Sequence, residues 1–429
     1  METVNIAILG MGTVGQGVAI LLLKHKSFLE RQLGCKLELK RILEKYWQKE
    51  LDFDRGDIPI SDRWGDVLED PEIHIVIETM GGIEPAKTFI SEALKSGKHV
   101  VTANKDLLAL HGQELFAAAK ASGTDFYYEA SVGGAIPVLC ALRQNIISDP
   151  VKEVMGIVNG TTNYILTRMA DEGGDFSSIL ADAQRLGFAE ANPASDVEGV
   201  DAGRKAAILS TLAFQSQVTL DDVYMEGIAG ITREDMVFAD KMDLAVKLVA
   251  ICKERDGKIE ARVHPALLPK SHPLSSVKST YNAIFIKADH LGEVMLYGRG
   301  AGRFPTASAI LGDVAEIVRN IRFHSCGRLT WVSQRDKAVI PIEDVETRFF
   351  LRVLLTDKPG VLAAVTKILS KYMVNLDSVN QIDLKGGDAE LVLVTHLVRE
   401  GDMRKALEEL RGLETTKEII TVLRVEGVA

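Results

Sequence analysis

The strongest indication of chemistry in this sequence is a short acidic stretch that ends on a lysine. Residues 186–205 contain four carboxylates, and Asp201 and Lys205 stand four residues apart. In a helix that spacing puts both side chains on one face, about one turn apart. Apolar residues follow Lys205 at i+3, i+4 and i+7, so the lysine lies on the apolar side. It is a candidate catalytic group, and an exposed ion pair of little energetic weight is the alternative.

A glycine-rich loop near the start of the chain has the pattern of a nucleotide-binding site. Residues 4–9 are apolar and β-branched, Gly10, Gly12 and Gly15 follow at once, and an apolar helical pattern comes next. In this context Gly10 permits a tight turn, Gly12 lets a pyrophosphate approach the backbone, and Gly15 allows close helix–strand packing. We predict a dinucleotide-binding βα unit, with a merely tight turn as the alternative.

The end of the second predicted strand leaves the type of dinucleotide open. Glu44 is suited to the ribose hydroxyls of NAD, whereas Arg41 and Lys45 beside it are suited to the extra phosphate of NADP. A solvated strand end explains the same charges equally well.

Polar residues recur where the following strands end. Alternating strands and helices up to about residue 134 predict a parallel, doubly wound sheet, whose ligands bind at the carboxyl ends of its strands. Glu78 and Thr79, the run 102–105 and the run 129–134 all fall at such ends. Lys105 directly after a strand is therefore a second candidate catalytic residue, and a surface lysine is the alternative.

The rest of the chain predicts two further domains. Residues 135–301 predict a mixed sheet with helices on one side, and either Thr161 or Thr162 is expected to cap a helix there. A glycine-rich turn at 299–306 opens a long helix, so that 302–325 return to the first domain of residues 1–134. Residues 326–347 are expected to be a linker. Residues 348–429 then follow the order βαββαβ of a ferredoxin-like unit, with a hairpin at Gly386 and Gly387.

Composition excludes several classes of function. The chain has 429 residues, a net charge of −10 and a pI near 5.5, which argues against nucleic acid or an anionic membrane as partner. Its apolar runs fall short of the roughly 20 residues that span a bilayer. Four scattered cysteines form no CxxC pair and indicate thiols in a reducing compartment. We expect a cytoplasmic protein without a structural zinc site.

Taken together, these segments resemble the homoserine dehydrogenase family with a C-terminal ACT domain. The resemblance covers essentially the whole chain, through GMGTVG, VTANK, GIVNGTTNYIL, GFAEANPASDVEGVDAGRK and GRGAGRFPTASAIL in family order, with DKPGVL as the ACT turn. It implies reversible hydride transfer between NAD or NADP and the C4 carbonyl of L-aspartate 4-semialdehyde, giving L-homoserine. That step belongs to threonine, methionine and isoleucine biosynthesis.

The resemblance also implies roles for individual residues. Lys105 and Lys205 are the implied catalytic pair, with Lys205 as proton donor to the forming alkoxide. The residues that hold the substrate amino group and orient the lysines are Glu190, Asp196 and Asp201. Besides Gly10 and Gly15 of the loop, the cofactor-contacting positions are Gly12, Thr13, Val14, Thr102, Lys105, Gly187, Glu190 and Gly302. A Na⁺ site, built mostly from backbone carbonyls, is implied at Glu129, Val132, Gly134 and Ile136.

The chemistry and the regulation implied by the resemblance agree with these residues. Reduction of an aldehyde puts negative charge on its oxygen, which calls for a cation and a proton source. Several acids beside two lysines suit an amino-acid substrate. The ACT domain implies feedback inhibition by threonine, or else a dimerisation module without a ligand, and a homodimer or homotetramer is expected. A catalytically silent amino-acid sensor and an oxidoreductase for a related semialdehyde are the alternative functions.

Overall fold

The computed structural model describes residues 2–46, 50–328, 336–384 and 387–427. The chain divides into two compact units. The first unit consists of Met1–Val151, Ala207–Asp221 and Asn282–Asp336, and the second of Lys152–Ala206, Asp222–Tyr281 and Lys337–Ala429. Part of the expected linker, 329–335, and Gly386 of the expected hairpin lie outside the described residues.

The strands and helices follow one another in the alternating order that the sequence predicts for its first third. The strands are β1 (Thr3–Leu9), β2 (Lys36–Leu43), β3 (Ile60–Ser61), β4 (Ile73–Glu78), β5 (His99–Thr102), β6 (Phe126–Tyr127), β7 (Val151–Ile157), β8 (Tyr224–Met225), β9 (Leu244–Arg255), β10 (Lys258–Pro269), β11 (Tyr281–Ala288), β12 (Gly292–Arg299), β13 (Glu346–Thr356), β14 (Leu376–Leu384), β15 (Asp388–Thr395), β16 (Val398–Arg399) and β17 (Thr416–Val425). The helices are α1 (Thr13–Lys24), α2 (Lys26–Leu33), α3 (Gly65–Leu68), α4 (Ala86–Lys95), α5 (Lys105–Ser122), α6 (Val138–Cys140), α7 (Gly160–Glu172), α8 (Phe176–Arg185), α9 (Ala194–Val197), α10 (Val200–Phe214), α11 (Arg233–Lys241), α12 (Arg303–Arg322), α13 (Val361–Lys371) and α14 (Glu400–Arg411).

The first unit is built around a parallel sheet with the strand order β3-β2-β1-β4-β5-β6. This order reverses direction next to β1, so the crevice at the carboxyl ends of β1 and β4 is where such folds bind ligands. Helix α12 returns from late in the chain and packs against α1. A Cβ on Gly17 of α1 would lie 2.9 Å from Cγ of Arg303, so the glycine lets the two helices approach closely.

In the second unit, seven strands lie side by side in the order β7-β9-β10-β17-β13-β15-β14. Strands β9 and β10 form an antiparallel hairpin of twelve residues on each side, and most of their side chains are buried. Residues 346–427, which we call the C-terminal module, run β13-α13-β14-β15-α14-β17 with the short β16 paired to β13. Their antiparallel sheet has the ferredoxin-like order that the sequence predicts. The predicted fold class is confirmed.

The C-terminal module shares its sheet with the rest of the second unit. Strand β17 pairs in parallel with β10, with Ala266 opposite Arg424 and Leu267 opposite Val425. The amide of Glu426 extends this pairing by donating to the carbonyl of Leu267 at 2.9 Å. The module is therefore continuous with the mixed sheet, although its sequence alone looks self-contained. No helix among the described residues is long and apolar enough to cross a membrane.

Candidate active site

The glycine-rich loop between β1 and α1 leaves an open surface at a helix N-terminus. Gly10 has a φ of +89°, which favours glycine, and its amide donates to the carbonyl of Leu43 at 2.9 Å. A Cβ on Gly15 would lie 2.0 Å from the carbonyl oxygen of Gly10, so only glycine fits there. Gly12 has no atom within 4 Å of its Cβ direction, and Thr13 beside it is exposed. The loop therefore has the free approach and the helix amides that a pyrophosphate needs.

Glu44, at the end of β2, is tied to this loop. Its Oε2 accepts a hydrogen bond from the amide of Met11 at 2.7 Å, and its Oε1 accepts one from the amide of Tyr46 at 3.0 Å. The carboxylate is half-buried, whereas Lys45 is exposed. A carboxylate has further acceptor positions after these two bonds, so Glu44 is available to a ribose hydroxyl beside the loop.

A buried network at the ends of β4 and β5 positions Lys105. Glu78 accepts hydrogen bonds from the amides of Met80 and Gly81 and, at 2.6 Å, from the hydroxyl of Thr102. Thr102 in turn accepts from the amide of Asn104 at 3.0 Å. The hydroxyl of Thr102 therefore donates one hydrogen bond and accepts one within this network, and it keeps one acceptor position.

Asn104 completes this network as the cap of α5. Its Oδ1 accepts from the amide of Leu107 at 3.1 Å, and its Nδ2 donates to the carbonyl of Gly82 at 2.7 Å. Lys105, half-buried, is the first residue of that helix. The network therefore fixes the backbone from which the Lys105 side chain starts.

Lys205 in the second unit is buried and held by an acid one helical turn away. Its Nζ donates to Oδ2 of Asp201 at 2.7 Å and to the carbonyl of Val158 at 2.7 Å. Asp201 is 7% and Lys205 9% exposed. The i,i+4 contact expected from the sequence is present, but it is a buried pair and not the exposed one of the alternative interpretation.

Asn159 joins this pair to a second acid. Its Nδ2 donates to Oδ2 of Asp201 at 2.8 Å and to Oδ1 of Asp196 at 2.7 Å. Its Oδ1 accepts from the amide of Thr162 at 2.9 Å, so Asn159 also caps α7. The expectation that Thr161 or Thr162 caps this helix is wrong, because the helix begins at Gly160, which makes Asn159 the N-cap and puts both threonines inside the first turn. Asn159 is a site residue that the sequence reasoning missed, although its place before GTTN was a signal for a cap.

Two further expected site residues lie on exposed turns of the second unit. Gly187 has a φ of +77° and no atom within 4 Å of its Cβ direction, so its surface is open. Glu190 is exposed, and its carbonyl accepts from Nε2 of Gln184 at 3.1 Å. Within the described residues its carboxylate stays outside the Asn159 network.

The expected sodium segment combines an engaged carboxylate with free carbonyl groups. The buried carboxylate of Glu129 accepts from the amides of Leu139 and Cys140 at 2.8 and 2.7 Å and from Arg143 at 3.3 Å. Its burial raises the pKa of Glu129 against the opposing charge of Arg143. Val132 and Gly134 are buried residues, and their carbonyl groups accept no backbone hydrogen bond from the described residues. Buried polar groups normally have a partner, and a small cation would supply one for these two carbonyls.

The remaining carbonyls of this segment are partly used. The carbonyl of Ile136 accepts from the amide of Val138 at 2.8 Å, and that of Glu129 accepts from Val132 at 3.4 Å. Each carbonyl oxygen has two lone pairs, so both keep one position for an ion. Gly134 has a φ of +55°, and its Cβ direction meets the carbonyl carbon of Gly300 at 2.5 Å, which requires glycine there.

The last residues of the candidate site, Gly302 and Arg303, stand at the start of α12. Gly302 is the N-cap, with a φ of +122°. Arg303 donates to Asp52 at 2.7 Å, while its buried Nε and Nη2 have no hydrogen-bond partner among the described residues. A guanidinium with two unpartnered nitrogens beside Gly17 of α1 fits an anionic ligand in the first unit. The sequence reasoning did not single out Arg303.

One further cluster resembles a metal site in composition. His99, Asp125 and Cys326 have ligand atoms within 4.8 Å of one another. Nδ1 of His99, however, accepts the amide proton of Asp125 at 3.0 Å, so the ring proton of a neutral His99 lies on Nε2. Burial lowers the pKa of His99 and raises the pKa of Cys326 to about 11. With Nδ1 accepting this amide proton, the protonated Nε2 of His99 faces Sγ of Cys326 at 3.8 Å, so the cluster is held together by hydrogen bonds.

The fold and these sites define a class of protein: a dinucleotide-dependent dehydrogenase with a ferredoxin-like module at its end. Family models agree segment by segment. Residues 10–129 match the NAD-binding domain of homoserine dehydrogenase, 137–315 match homoserine dehydrogenase, and 349–415 match the ACT domain. The chain belongs to the homoserine dehydrogenase family and carries a C-terminal ACT domain.

Individual relatives support this assignment over the full length. The chain is 42% identical to homoserine dehydrogenase of Bacillus subtilis, covering 100% of this chain and 99% of the relative. It is 43% identical to that of Synechocystis, with 99% of each covered. A crystal structure of a homoserine dehydrogenase from Thiobacillus denitrificans has a TM-score of 0.94 and 36% identity, with 99% of each chain covered. A hyperthermophilic archaeal homoserine dehydrogenase mutant, solved with NADPH, has a TM-score of 0.63 and 28% identity, covering 74% of this chain and 98% of that one. The expected enzyme class is therefore confirmed.

Proposed function

We propose that this enzyme interconverts L-aspartate 4-semialdehyde and L-homoserine with Lys205 as the proton donor to the substrate oxygen. The observation that carries the proposal is the buried ammonium of Lys205, held between Asp201 and the carbonyl of Val158. A fixed cation stabilises the negative charge that develops on the aldehyde oxygen, and it supplies the proton that completes the alcohol. In the oxidative direction the same amine receives that proton.

The acids have a second part in this proposal. Asp201 is committed to Lys205 and Asn159, whereas the carboxylate of Asp196 accepts from Asn159 alone within the described residues, and Glu190 is exposed. Asp196 and Glu190 are therefore proposed to bind the α-amino group of the substrate. Lys105, at the start of α5, is proposed as the second catalytic lysine.

Substitution of Lys205 tests the proposed mechanism. Lys205→Ala should lower kcat for homoserine oxidation by at least about 100-fold, because general acid–base catalysis contributes on that order. The KM for the dinucleotide should change little. Lys270→Ala is the matched control, since Lys270 also pairs with an aspartate, Asp240 at 2.6 Å, but on the surface. Retention of turnover by Lys205→Ala would overturn the assignment of the proton donor, and absence of turnover in the wild type would favour the silent-sensor alternative.

The nicotinamide dinucleotide is proposed to bind at the glycine-rich loop, where it supplies the hydride. Gly12 and the N-terminus of α1 would receive its pyrophosphate, Glu44 its adenosine ribose, and Gly302 is a further proposed contact. Thr13, Val14, Thr102, Gly187 and Glu190 remain proposed contact positions. Initial rates with NAD and with NADP, compared in wild type and Glu44→Gln, test the ribose contact. Loss of the carboxylate should favour NADP relative to NAD, because it removes a charge that repels the extra phosphate.

A sodium ion is proposed at the segment from Glu129 to Ile136. The carbonyls of the buried residues Val132 and Gly134, which accept no backbone hydrogen bond within the described residues, support it, because hard monovalent cations prefer oxygen ligands. NaCl should raise the melting temperature more than choline chloride at equal ionic strength. Equal melting temperatures in the two salts would contradict the proposal.

The ACT domain is proposed to bind threonine as a feedback inhibitor. Gly360, in its strand-to-helix turn, has a φ of +92° and no atom within 4 Å of its Cβ direction, so that turn is open to a ligand. Asn375, exposed directly before β14, is proposed to offer its side-chain amide to the same ligand. Threonine should inhibit homoserine oxidation by the full chain, and Asn375→Ala should weaken that inhibition. Insensitivity of the wild type would leave dimerisation as the role of the module. Light scattering would then distinguish the proposed homodimer or homotetramer from a monomer.

A further inference from the structure

An arginine of the C-terminal module contacts the segment against which the Asp196–Asp201 region packs. We propose that Arg424 and Glu226 are positioning residues for the reaction. Their ion pair holds residues 224–228, and these residues hold the backbone that carries the two acids and, through Asp201, Lys205. This inference rests on the roles proposed above for Asp196, Asp201 and Lys205.

Arg424 is a buried, fully engaged cation on β17. It is 5% exposed, and its Nη1 donates to Oε2 of Glu226 at 2.5 Å. Its Nε and Nη2 form a fork on the carboxylate of Glu400, the latter at 3.2 Å. Its Nη2 also reaches the hydroxyl of Tyr224 at 3.3 Å. Burial opposes the charge, but the carboxylates of Glu400 and Glu226 outweigh it and raise the pKa of Arg424. The guanidinium is therefore a permanently charged anchor with a fixed direction.

The residues beside Glu226 are clamped between β10 and the active-site segment. Strand β8 pairs in parallel with β10, and the amide of Glu226 donates to the carbonyl of Val263 at 2.8 Å. On the other side, the amide of Ile228 donates to the carbonyl of Val197 at 2.8 Å. Residues 224–228 thus connect the sheet to the end of α9.

Two glycines let the backbones of residues 197–199 and 226–227 lie directly against each other, which makes this contact rigid. A Cβ on Gly227 would lie 2.4 Å from the carbonyl oxygen of Val197 and 2.7 Å from Cα of Glu198. Gly199, with a φ of +84°, faces the carbonyl of Glu226, 3.3 Å from its Cβ direction. Where two backbones touch without side chains between them, a shift of one is transmitted to the other.

The backbone of residues 197–199, which is held by this contact, determines the positions of Asp196 and Asp201. Asp196 precedes Val197 by one residue, and Asp201 follows Gly199 by two. Both carboxylates converge on Nδ2 of Asn159, and Asp201 binds Lys205. A displacement of residues 197–199 therefore changes the distance between Asp196 and Asp201, and with it the position of the ammonium group. The C-terminal module thereby contributes to active-site geometry without contacting the substrate.

Glu226 is the residue to substitute, because its loss leaves the fold the least disturbed. Its side chain is 36% exposed, so the position that it vacates is open to solvent. Arg424 keeps the carboxylate of Glu400 when Glu226 is removed. The reverse substitution of Arg424 would leave Glu400 buried without its cation, which is strongly destabilising.

Steady-state kinetics of the full-length enzyme test the proposal. Glu226→Ala should lower kcat/KM for homoserine about tenfold or more, because small misplacements of catalytic groups have effects of that order. The KM for the dinucleotide should stay unchanged. Glu226→Gln keeps an acceptor for Arg424 and should recover most of kcat/KM. The matched control is Glu343→Ala, which removes an exposed acid that likewise lies outside the C-terminal module and pairs with one of its arginines, Arg404, at 2.9 Å.

The outcomes separate this inference from the proposed function. If Glu226→Ala behaves like Glu343→Ala while Lys205→Ala is inactive, the positioning role is overturned and the mechanism stands. If Lys205→Ala retains turnover, both are overturned. If Glu226→Ala melts well below the control, Tyr224→Phe replaces it, since this variant removes only the hydroxyl that bonds Glu226 at 3.1 Å. A loss of kcat/KM without change in melting temperature supports the proposal, and wild-type kinetics overturn it.

Discussion

At the scale of single residues, the site depends on an amide that serves two carboxylates at once. Nδ2 of Asn159 donates one hydrogen bond to Asp196 and one to Asp201, and its Oδ1 caps α7. Without a donor between them, two carboxylates at so short a distance would repel each other. Asn159 therefore places a hydrogen-bond donor between the two acids beside Lys205 and fixes the start of α7.

Two substitutions of Asn159 separate its two functions. Asn159→Ser should keep the helix cap but lose both carboxylate bonds, and kcat/KM for homoserine should fall about ten- to 100-fold. Asn159→Asp keeps a capping oxygen but places a third carboxylate against two others, so its loss should be larger. Initial-rate kinetics and thermal melting measure the two effects. Wild-type kcat/KM in Asn159→Ser would contradict the role of the amide.

A pair of glycine substitutions in one loop tests where the dinucleotide approaches. Gly12→Ala adds a methyl group to open space, so the melting temperature should stay near wild type while the Kd for the dinucleotide rises. Gly15→Ala places a methyl group 2.0 Å from the carbonyl oxygen of Gly10, so it should lower the melting temperature. Calorimetric titration and thermal melting give both quantities. Unchanged affinity in a folded Gly12→Ala would argue against pyrophosphate binding at this loop.

At the scale of elements, the seam between β10 and β17 is closed by buried charges. Arg262, on β10, pairs with Glu260 at 2.7 Å and with Glu426 at 2.8 Å. Glu426 also accepts from the hydroxyl of Thr347 at 2.8 Å and lies 3.4 Å from Nζ of Lys253. Burial alone would raise the pKa of Glu426, but the charges of Arg262 and Lys253 hold it well below its ordinary value.

This depressed pKa makes the seam sensitive to acid. A carboxyl whose pKa is lower in the folded state stabilises the protein above its unfolded pKa of about 4.3, and that contribution is lost as the pH falls further. The free energy of unfolding should therefore fall less steeply below about pH 4 in Glu426→Gln than in wild type. At neutral pH the variant should be the less stable of the two. Urea unfolding at several pH values measures both, and parallel pH profiles would refute the assignment.

At the scale of the whole molecule, the C-terminal module is a structural part of the enzyme and not an appendage. Its last strand occupies the edge of β10 and covers Ala266 and Leu267, which are fully buried. Arg352 adds a second buried tie, donating to Asp235 at 2.6 Å and to Glu390 at 2.5 Å. A module joined through a shared sheet can influence catalysis without any large movement.

Removal of the module should therefore damage the enzyme and not merely deregulate it. A chain that ends at Val345 exposes the edge of β10, and an uncovered apolar edge strand promotes aggregation. We expect a lower melting temperature and loss of soluble protein relative to a chain that ends at Gly427. A soluble, fully active truncation that has lost only its response to threonine would contradict this expectation.

The sequence by itself determined the features that depend on near neighbours. The βα alternation, the glycine loop and the ferredoxin-like order follow from periodicity and turn residues, and the Asp201–Lys205 contact follows from helical spacing. Lys105 at a strand end is of the same kind. These features are local because backbone geometry fixes them within a few residues.

Only the tertiary structure decided which distant residues meet. Asn159 reaches Asp201 across 42 positions, and Arg424 reaches Glu226 across 198. Neither spacing carries any periodic signal, because such contacts depend on the packing of whole elements. The same holds for the burial of Lys205, since an apolar face predicts only that a residue points inward. The pairing of β17 with β10 also follows only from the tertiary structure, because the sequence of the module carries no signal that its edge strand pairs outside the module.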